Sequence, residues 1–241
     1  LSNIGQRINR ILEEHKKFLI IEQICAVWLP RVNGQKILKK NKKFIYLISP
    51  ENIKNSNFIK DLDLLLKNNN ISHFQLRLKK EKIKEIISIG KRIKNICKKN
   101  KVKLIINDSP LAAKKIGADG CHIGQNDGSI KNARLILKNK IIGITCHNSI
   151  KLIKKASKEG ADYIAIGAFY SSKTKKVKYK APKKLLIDAK KITKIPLVAI
   201  GGINSKNYKK LLLNKANFLA ISGYIWNNKK LKPIDAVKKL K

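Results

Sequence analysis

The chain has 241 residues, 43% of them hydrophobic, enough to bury a full core and within the range that one α/β barrel fills as a single domain. Its formal charge is +40, from 55 Lys+Arg against 15 Asp+Glu. The excess is mostly lysine, is spread along the chain and never alternates with aromatics in a stacking platform, so no specific nucleic-acid partner is expected; weak attraction of polyanions at low salt and help to arriving anionic substrates are.

No apolar run reaches the ~20 residues that cross a bilayer, so no transmembrane segment is expected. Glu13, Glu14 and His15 interrupt the first apolar run before a signal-peptide core forms. Cys25, Cys97, Cys121 and Cys146 show no metal-ligand spacing and read as reduced thiols of a cytoplasmic protein.

Residues 1–41 form an extension. Ile4, Ile8, Ile11 and Leu12 recur at helical spacing, a second apolar run from Phe18 to Leu29 stops at Pro30, and a basic linker, RVNGQKILKKNKK, follows. One or two helices are expected there, packed on the main domain or on a second subunit of a homo-oligomer. Trp28 and the flanking lysines also suit a helix lying in a membrane interface.

From residue 42 to 241 a regular alternation sets in. Apolar runs occur at Phe44–Ile48, His73–Leu78, Lys103–Asn107, Gly120–Gly124, Ile141–Thr145, Tyr163–Ala168, Leu197–Gly202 and Phe218–Gly223. Helical patterns lie between them, at Phe58–Leu66, Glu81–Lys98, Leu111–Ile116, Ile130–Leu137 and Ser149–Glu159. Strand runs too apolar to be one-sided, each followed by a helix, predict a single (β/α)8 barrel with helices outside. A doubly wound open sheet would carry a glycine-rich turn after its first strand, and Ser49-Pro50-Glu51-Asn52 is no such cradle.

In a barrel the chemistry collects at the carboxyl ends of the strands, above an interior expected to be packed and apolar. Those ends supply Gln75, Arg77 and Lys79, then Asn107 and Asp108, then Gln125 and Asp127, then Thr145 and His147, then Ser171, Ser172, Thr174 and Lys175. Gly201-Gly202 and Ser222-Gly223 close the series. The set is rich in cations, hydroxyls and exposed amides, with two carboxylates. An anionic ligand bridged to Asp108 and Asp127 by Mg²⁺ fits, because Mg²⁺ commonly takes one or two carboxylates together with substrate phosphates. Arg77, Lys79 and Lys175 suit a diphosphate, with hydroxyls from Ser172 and Thr174, and the two glycine-containing turns suit a second phosphate. Two phosphorylated small-molecule substrates follow.

Blander roles compete. Asp108 and Asp127 are also placed to cap helices, Asp119 to serve a turn, His122 and His147 to satisfy structure, and Gly201-Gly202 to permit close packing.

The stretches FQLRLKK, LIINDSPLAAKKIGADGCHIGQND, IIGITCHN, YIAIGAFYSSKTK, VAIGGI and AISG, in this order, resemble successive signatures of the thiamine-phosphate synthase family from about Phe44 to Tyr224. The resemblance implies a transferase that joins a hydroxymethylpyrimidine diphosphate to a thiazole phosphate, releasing pyrophosphate. It implies that Asp108 and Asp127 hold Mg²⁺, and that Arg77, Lys79, Asn107 and Lys175 bind the diphosphate. Gln75 and Thr145 would contact the pyrimidine, Ser172 and Thr174 would border the thiazole phosphate, and Gly202, Ile221 and Ser222 would complete its cradle. Departures from the family pattern are Ser109 in place of an arginine, Ser171 in place of a proline, Thr145 where serine is common, and Lys215, Asn217 and Ala181 near positions of usual glycines. The alternatives are a thiazole-tautomerase-like barrel and a non-catalytic thiazole-phosphate-binding protein; relatives of those kinds tend to lose the metal and diphosphate residues, which this chain retains.

Overall fold

A computed structural model describes residues 43–53, 57–67, 70–172 and 177–241; the expected N-terminal helices lie outside these. Eight parallel strands close into a barrel in sequence order: β1 Ile45–Ile48, β2 Ile71–Leu76, β3 Lys103–Asn107, β4 Gly120–Ile123, β5 Ile141–His147, β6 Tyr163–Gly167, β7 Leu197–Ile200 and β8 Phe218–Ile221. The helices among the described residues are α1 Phe58–Leu66, α2 Ile83–Lys99, α3 Pro110–Ile116, α4 Ile130–Leu137, α5 Ile150–Lys158, α6 Lys184–Ile192, α7 Tyr208–Leu213, α8 Gly223–Trp226 and α9 Pro233–Lys238. None of these is long and apolar enough to cross a membrane.

The expected elements recur with small shifts. β2 begins at Ile71 and ends at Leu76, two residues earlier at each end than its apolar run suggested, because Ser72 belongs to the strand and donates to the Ile45 carbonyl at 3.0 Å.

Side chains alternate between two layers, as a strand period of two requires. Ile45, Leu47, Phe74, Leu104, Ile106, Ile164 and Ile166 pack outward against the helices. Tyr46, Ile48, Ile105, Tyr163, Ala165, Val198 and Ala220 face inward. Cys97, Cys121 and Cys146 are buried free thiols, each pushed up to about 12 by burial and therefore poor nucleophiles.

Local chemistry sets the ends of the elements. Ser109, Ser129 and Ser149 cap α3, α4 and α5, accepting from Ala112, Asn132 and Leu152 N–H at 3.1, 3.1 and 3.3 Å. Gly117, at φ 69, ends α3 in the left-handed conformation that lets β4 start at once.

At the amino face, one device recurs. The residues before β4, β6 and β8 each reach back to the start of the preceding strand: Asp119 accepts from Leu104 N, Asp162 from Ile142 N and Asn217 from Leu197 N, at 2.9, 2.7 and 2.9 Å. Ser72, the second residue of β2, ties β2 to β1 with the roles reversed, donating to the Ile45 carbonyl. Asp119 is therefore a structural residue, as its turn context suggested, and it also holds Lys103 Nζ at 3.0 Å.

Candidate active site

The carboxyl ends of β2, β3 and β4 bring three charged side chains together. β3 ends in Asn107, and Asp108 then turns at φ 63, a left-handed backbone that costs a non-glycine residue about 1–2 kcal/mol and is retained where surrounding structure requires it. Its N–H is held by the His122 carbonyl at 2.7 Å, so β4 fixes the turn. Asp127 folds back over the end of β4 and accepts from Gly124 N at 2.9 Å. Asp108 and Asp127 meet side by side. Burial raises the Asp108 pKa first; the Asp127 carboxyl adds to the rise, and Lys79 opposes it. Lys79 Nζ stands 3.0 Å from Asp108 Oδ2.

Two carboxylates driven together against their mutual repulsion form an oxygen-donor set that a hard cation relieves. Among the described residues no group of three or more His, Cys, Asp or Glu gathers around a point. That donor set fits Mg²⁺, which completes its shell with water and phosphate oxygens, better than zinc, which takes nitrogen and sulfur ligands.

The next sector joins β1, β2 and β8 through Ser49. Its hydroxyl oxygen accepts from Arg77 N at 2.9 Å, and its carbonyl accepts from Ser222 Oγ at 3.1 Å. Arg77 Nη1 lies 3.5 Å from Glu51 Oε1. Ser222 has thus committed its proton to the Ser49 carbonyl, which leaves its oxygen lone pairs and its backbone for other contacts. The Ile221 side chain is buried in the outer layer, so its contribution to any phosphate cradle is through the backbone.

Gly201 and Gly202 have φ of 103 and 61. A Cβ at Gly202 would stand 2.2 Å from the Ser171 carbonyl, so this turn runs directly against the segment after β6. The packing role therefore holds for both glycines, and it places their backbone beside Tyr170 and Ser171. Thr174 and Lys175 lie outside the described residues. The flanks of their loop are anchored: Ala168 N donates to the Tyr179 carbonyl at 2.9 Å, Ala181 N to the Ala168 carbonyl at 2.8 Å, and Tyr179 packs on His147 with ring centroids 4.3 Å apart.

Below the mouth, the interior departs from the apolar filling expected. Tyr46, Gln75, His122 and Tyr163 are buried polar groups joined by hydrogen bonds that reach Thr145. Burial pushes the His122 pKa down to about 4, Asp127 opposing and Arg77 and Lys79 reinforcing, so the ring is neutral at physiological pH. Burial also holds both phenols protonated, raising their pKa values well above the usual tyrosine range. Gln125 Nε2 donates to the Thr145 carbonyl and closes over the end of β5.

Gln75 and Thr145 are thus linked to one network, and Asp108, Asp127 and Lys79 to one cluster. Tyr46, Tyr163, Ser49 and Glu51 were not singled out from sequence as site residues. The only signal for the two tyrosines was their inward parity within β1 and β6.

A closed parallel barrel that gathers its ionised side chains at the carboxyl ends of its strands falls in the class of (β/α)8-barrel proteins that place their chemistry in the strand-to-helix loops. Residues 45–225 match the family described as thiamine monophosphate synthase (TMP-TENI), and the chain belongs to that family. It is 65% identical over 203 residues to a thiamine-phosphate synthase of Pelagibacter ubique, covering 84% of this chain and 98% of that one. It is 36% identical over 185 residues to one of Rhodospirillum centenum, covering 76% and 89%. Among solved structures, a thiamine phosphate pyrophosphorylase from Pyrococcus furiosus superposes with a TM-score of 0.72 at 26% identity, over 83% of this chain and 94% of that one. An orotidine 5'-monophosphate decarboxylase from Methanocaldococcus jannaschii, at 17% identity and TM-score 0.58 over 83% and 97%, shares the fold. The chain is an enzyme, a transferase of the thiamine-phosphate synthase kind.

Proposed function

We infer that the enzyme condenses a hydroxymethylpyrimidine diphosphate with a thiazole phosphate, giving thiamine phosphate and pyrophosphate. The observation that carries this reading is the meeting of Asp108 and Asp127, with Lys79 on Asp108 and Arg77 on the adjacent strand end. Carboxylates and cations on one rim suit a diphosphate that arrives with a divalent cation.

The reaction breaks the bond between the pyrimidine methylene carbon and the diphosphate oxygen. The electron pair leaves with pyrophosphate, and the thiazole nitrogen lone pair forms the new carbon–nitrogen bond. An unprotonated ring nitrogen needs no general base. The enzyme's task is to stabilise charge growing on the leaving group and to hold the two rings in line. Asp108 and Asp127 would hold Mg²⁺, which when bound neutralises part of the diphosphate charge. Arg77, Lys79 and Lys175 neutralise the remainder as it grows, and Asn107 donates to it. Lys79 Nζ pairs with Asp108 Oδ2 at 3.0 Å and would turn its charge to the diphosphate if Asp108 held the cation. Gln75 and Thr145 orient the pyrimidine. Ser172, Thr174, Gly202, Ile221 and Ser222 receive the phosphate of the thiazole, the last two through backbone N–H groups, because the Ser222 hydroxyl proton is given to the Ser49 carbonyl.

The test mixes the two phosphorylated precursors with enzyme and Mg²⁺ and follows pyrophosphate together with thiamine phosphate. Stoichiometric appearance of both, abolished by chelation, is expected; absence of pyrophosphate refutes the condensation.

A further inference from the structure

Side chains from five strands form one continuous hydrogen-bonded chain across the barrel interior. Gln75 Nε2 donates to Tyr46 Oη at 3.1 Å, Tyr46 Oη meets Tyr163 Oη at 2.7 Å, Tyr163 Oη meets His122 Nδ1 at 2.9 Å, and His122 Nε2 meets Thr145 Oγ1 at 2.8 Å. Tyr46, Gln75, His122 and Tyr163 are at most 9% exposed, so water does not compete for their protons. Each phenol has one proton to donate, and the first bond therefore sets the direction of the rest.

With the Gln75 nitrogen turned inward, Tyr46 accepts from it and must donate to Tyr163. Tyr163 must then donate to His122 Nδ1, which makes the imidazole the Nε2–H tautomer and the donor to Thr145. An imidazolium, a donor at both nitrogens, would leave the Tyr163 proton with no acceptor in this chain. Thr145 receives a bond from below, so its own proton is what it offers at the mouth. At the other end, Gln75 keeps Oε1 as its acceptor. The rings are held in place for this. His73 stacks on Tyr46 with centroids 5.3 Å apart, His122 stacks on Tyr163 at 5.5 Å, and Gly143 leaves the slot that the Tyr163 ring fills.

We propose that Tyr46, Tyr163 and His122 are positioning residues that hold this chain in one direction, so that Thr145 presents a hydrogen-bond donor and Gln75 an acceptor to the pyrimidine. The proposal rests on the reading of Gln75 and Thr145 as pyrimidine contacts. The pattern suits an aminopyrimidine, whose exocyclic amine needs an acceptor and whose ring nitrogens need a donor. An oxo analogue sets a carbonyl where the amine stood and would meet Gln75 acceptor against acceptor. Buried groups left unpaired in this way are the strongest means of rejecting a near-isosteric ligand.

The experiment reads imidazole nitrogen NMR shifts in isotope-labelled, ligand-free full chain. The sequence has four histidines, and His122→Gln assigns the signal. The expected wild-type result is an unprotonated Nδ1 and a protonated Nε2; a protonated Nδ1 overturns the direction. Tyr163→Phe, which keeps the ring and removes the hub, is expected to mix the tautomers and to raise KM for the pyrimidine diphosphate by about tenfold, leaving KM for the thiazole phosphate within about twofold. Unchanged tautomer or unchanged KM in that variant overturns the positioning role. Tyr46→Phe interrupts the same chain one bond earlier and gives the same reading should Tyr163→Phe fail to fold. The tautomer is measured without substrate, so a wild-type enzyme that releases no pyrophosphate would refute the condensation while the NMR result still decides the direction of the chain.

Discussion

Gly143 sits beside Tyr163 where β5 meets β6, and replacing it with alanine tests how firmly the interior phenol is held. A Cβ at Gly143 would lie 1.9 Å from Tyr163 Cζ and 2.3 Å from both Cε atoms. Ordinary contact needs at least 3.4 Å, so the ring must retreat by about 1.5 Å, the difference between the two. Its hydroxyl then loses Tyr46 at 2.7 Å and His122 at 2.9 Å. Overpacking costs about 1–3 kcal/mol and the two net hydrogen bonds about 1 kcal/mol each. Against this, alanine gains about 0.5–1 kcal/mol over glycine in a strand interior. The balance is a loss of about 2–4.5 kcal/mol, or a fall in Tm of roughly 4–18 °C for a domain of this size. Urea and thermal unfolding followed by circular dichroism measure it. Tyr163→Leu in the Gly143→Ala background should recover part of the loss, with a coupling of more than about 1 kcal/mol in the double-mutant cycle. A loss below about 1 kcal/mol for Gly143→Ala alone, or additive behaviour in the cycle, would refute the assignment of that slot to the tyrosine.

Asp108→Asn should lower turnover by at least about tenfold, or about 1.4 kcal/mol of barrier, while leaving ligand-free stability at neutral pH unchanged or higher, because a half-buried carboxyl crowded by Asp127 is removed. A matched loss of both stability and turnover would contradict this. Asp127→Asn should lower turnover similarly and abolish the rise in Tm that Mg²⁺ with pyrophosphate produces in the parent. The His73 and His122 pKa values, both brought down to about 4 by burial, lie below the usual value of 6.5. The unfolded chain therefore binds protons first, and stability present above about pH 6.5 is lost as pH falls toward 4, by on the order of 3 kcal/mol per ring. Denaturant titrations across that window in parent and His122→Gln should show a shallower loss in the variant. Lys215 holds φ 78 before β8, and Lys215→Gly should raise stability by about 0.5–1 kcal/mol in urea unfolding, with turnover unchanged.

Most strands were legible because inward and outward faces are both apolar, as at Ile45–Ile48 and Tyr163–Gly167. β2 was misplaced by two residues because Ser72 interrupts its apolar start, and the bond from Ser72 to Ile45 is a tertiary fact. Asp108 and Asp127 stood out as the carboxylates that follow two adjacent short runs, and strand order brings them together. Tyr46 and Tyr163 did not stand out. Within a strand an aromatic ring reads as filling, and only the closure of the barrel brings the two hydroxyls within 2.7 Å, far apart in the chain though they are. The glycines expected near Lys215 and Ala181 illustrate the converse. The left-handed turn survives at Lys215 although its usual residue does not, while Ala181 is simply buried against the Ala168 carbonyl.

The pins at the amino face join β1 to β2, β3 to β4, β5 to β6 and β7 to β8, and these polar side chains tie strands within pairs. The barrel is in this respect a ring of four clasped doublets. A cut placed between doublets, as in the connection from α6 to β7, keeps both partners of every clasp on one piece of chain, whereas one placed within a doublet, as between α3 and β4, puts Asp119 and Leu104 on different pieces. The floor of the barrel thus groups the strands two by two, while the mouth above it draws the candidate carboxylates Asp108 and Asp127 from the two strands of a single doublet, β3 and β4.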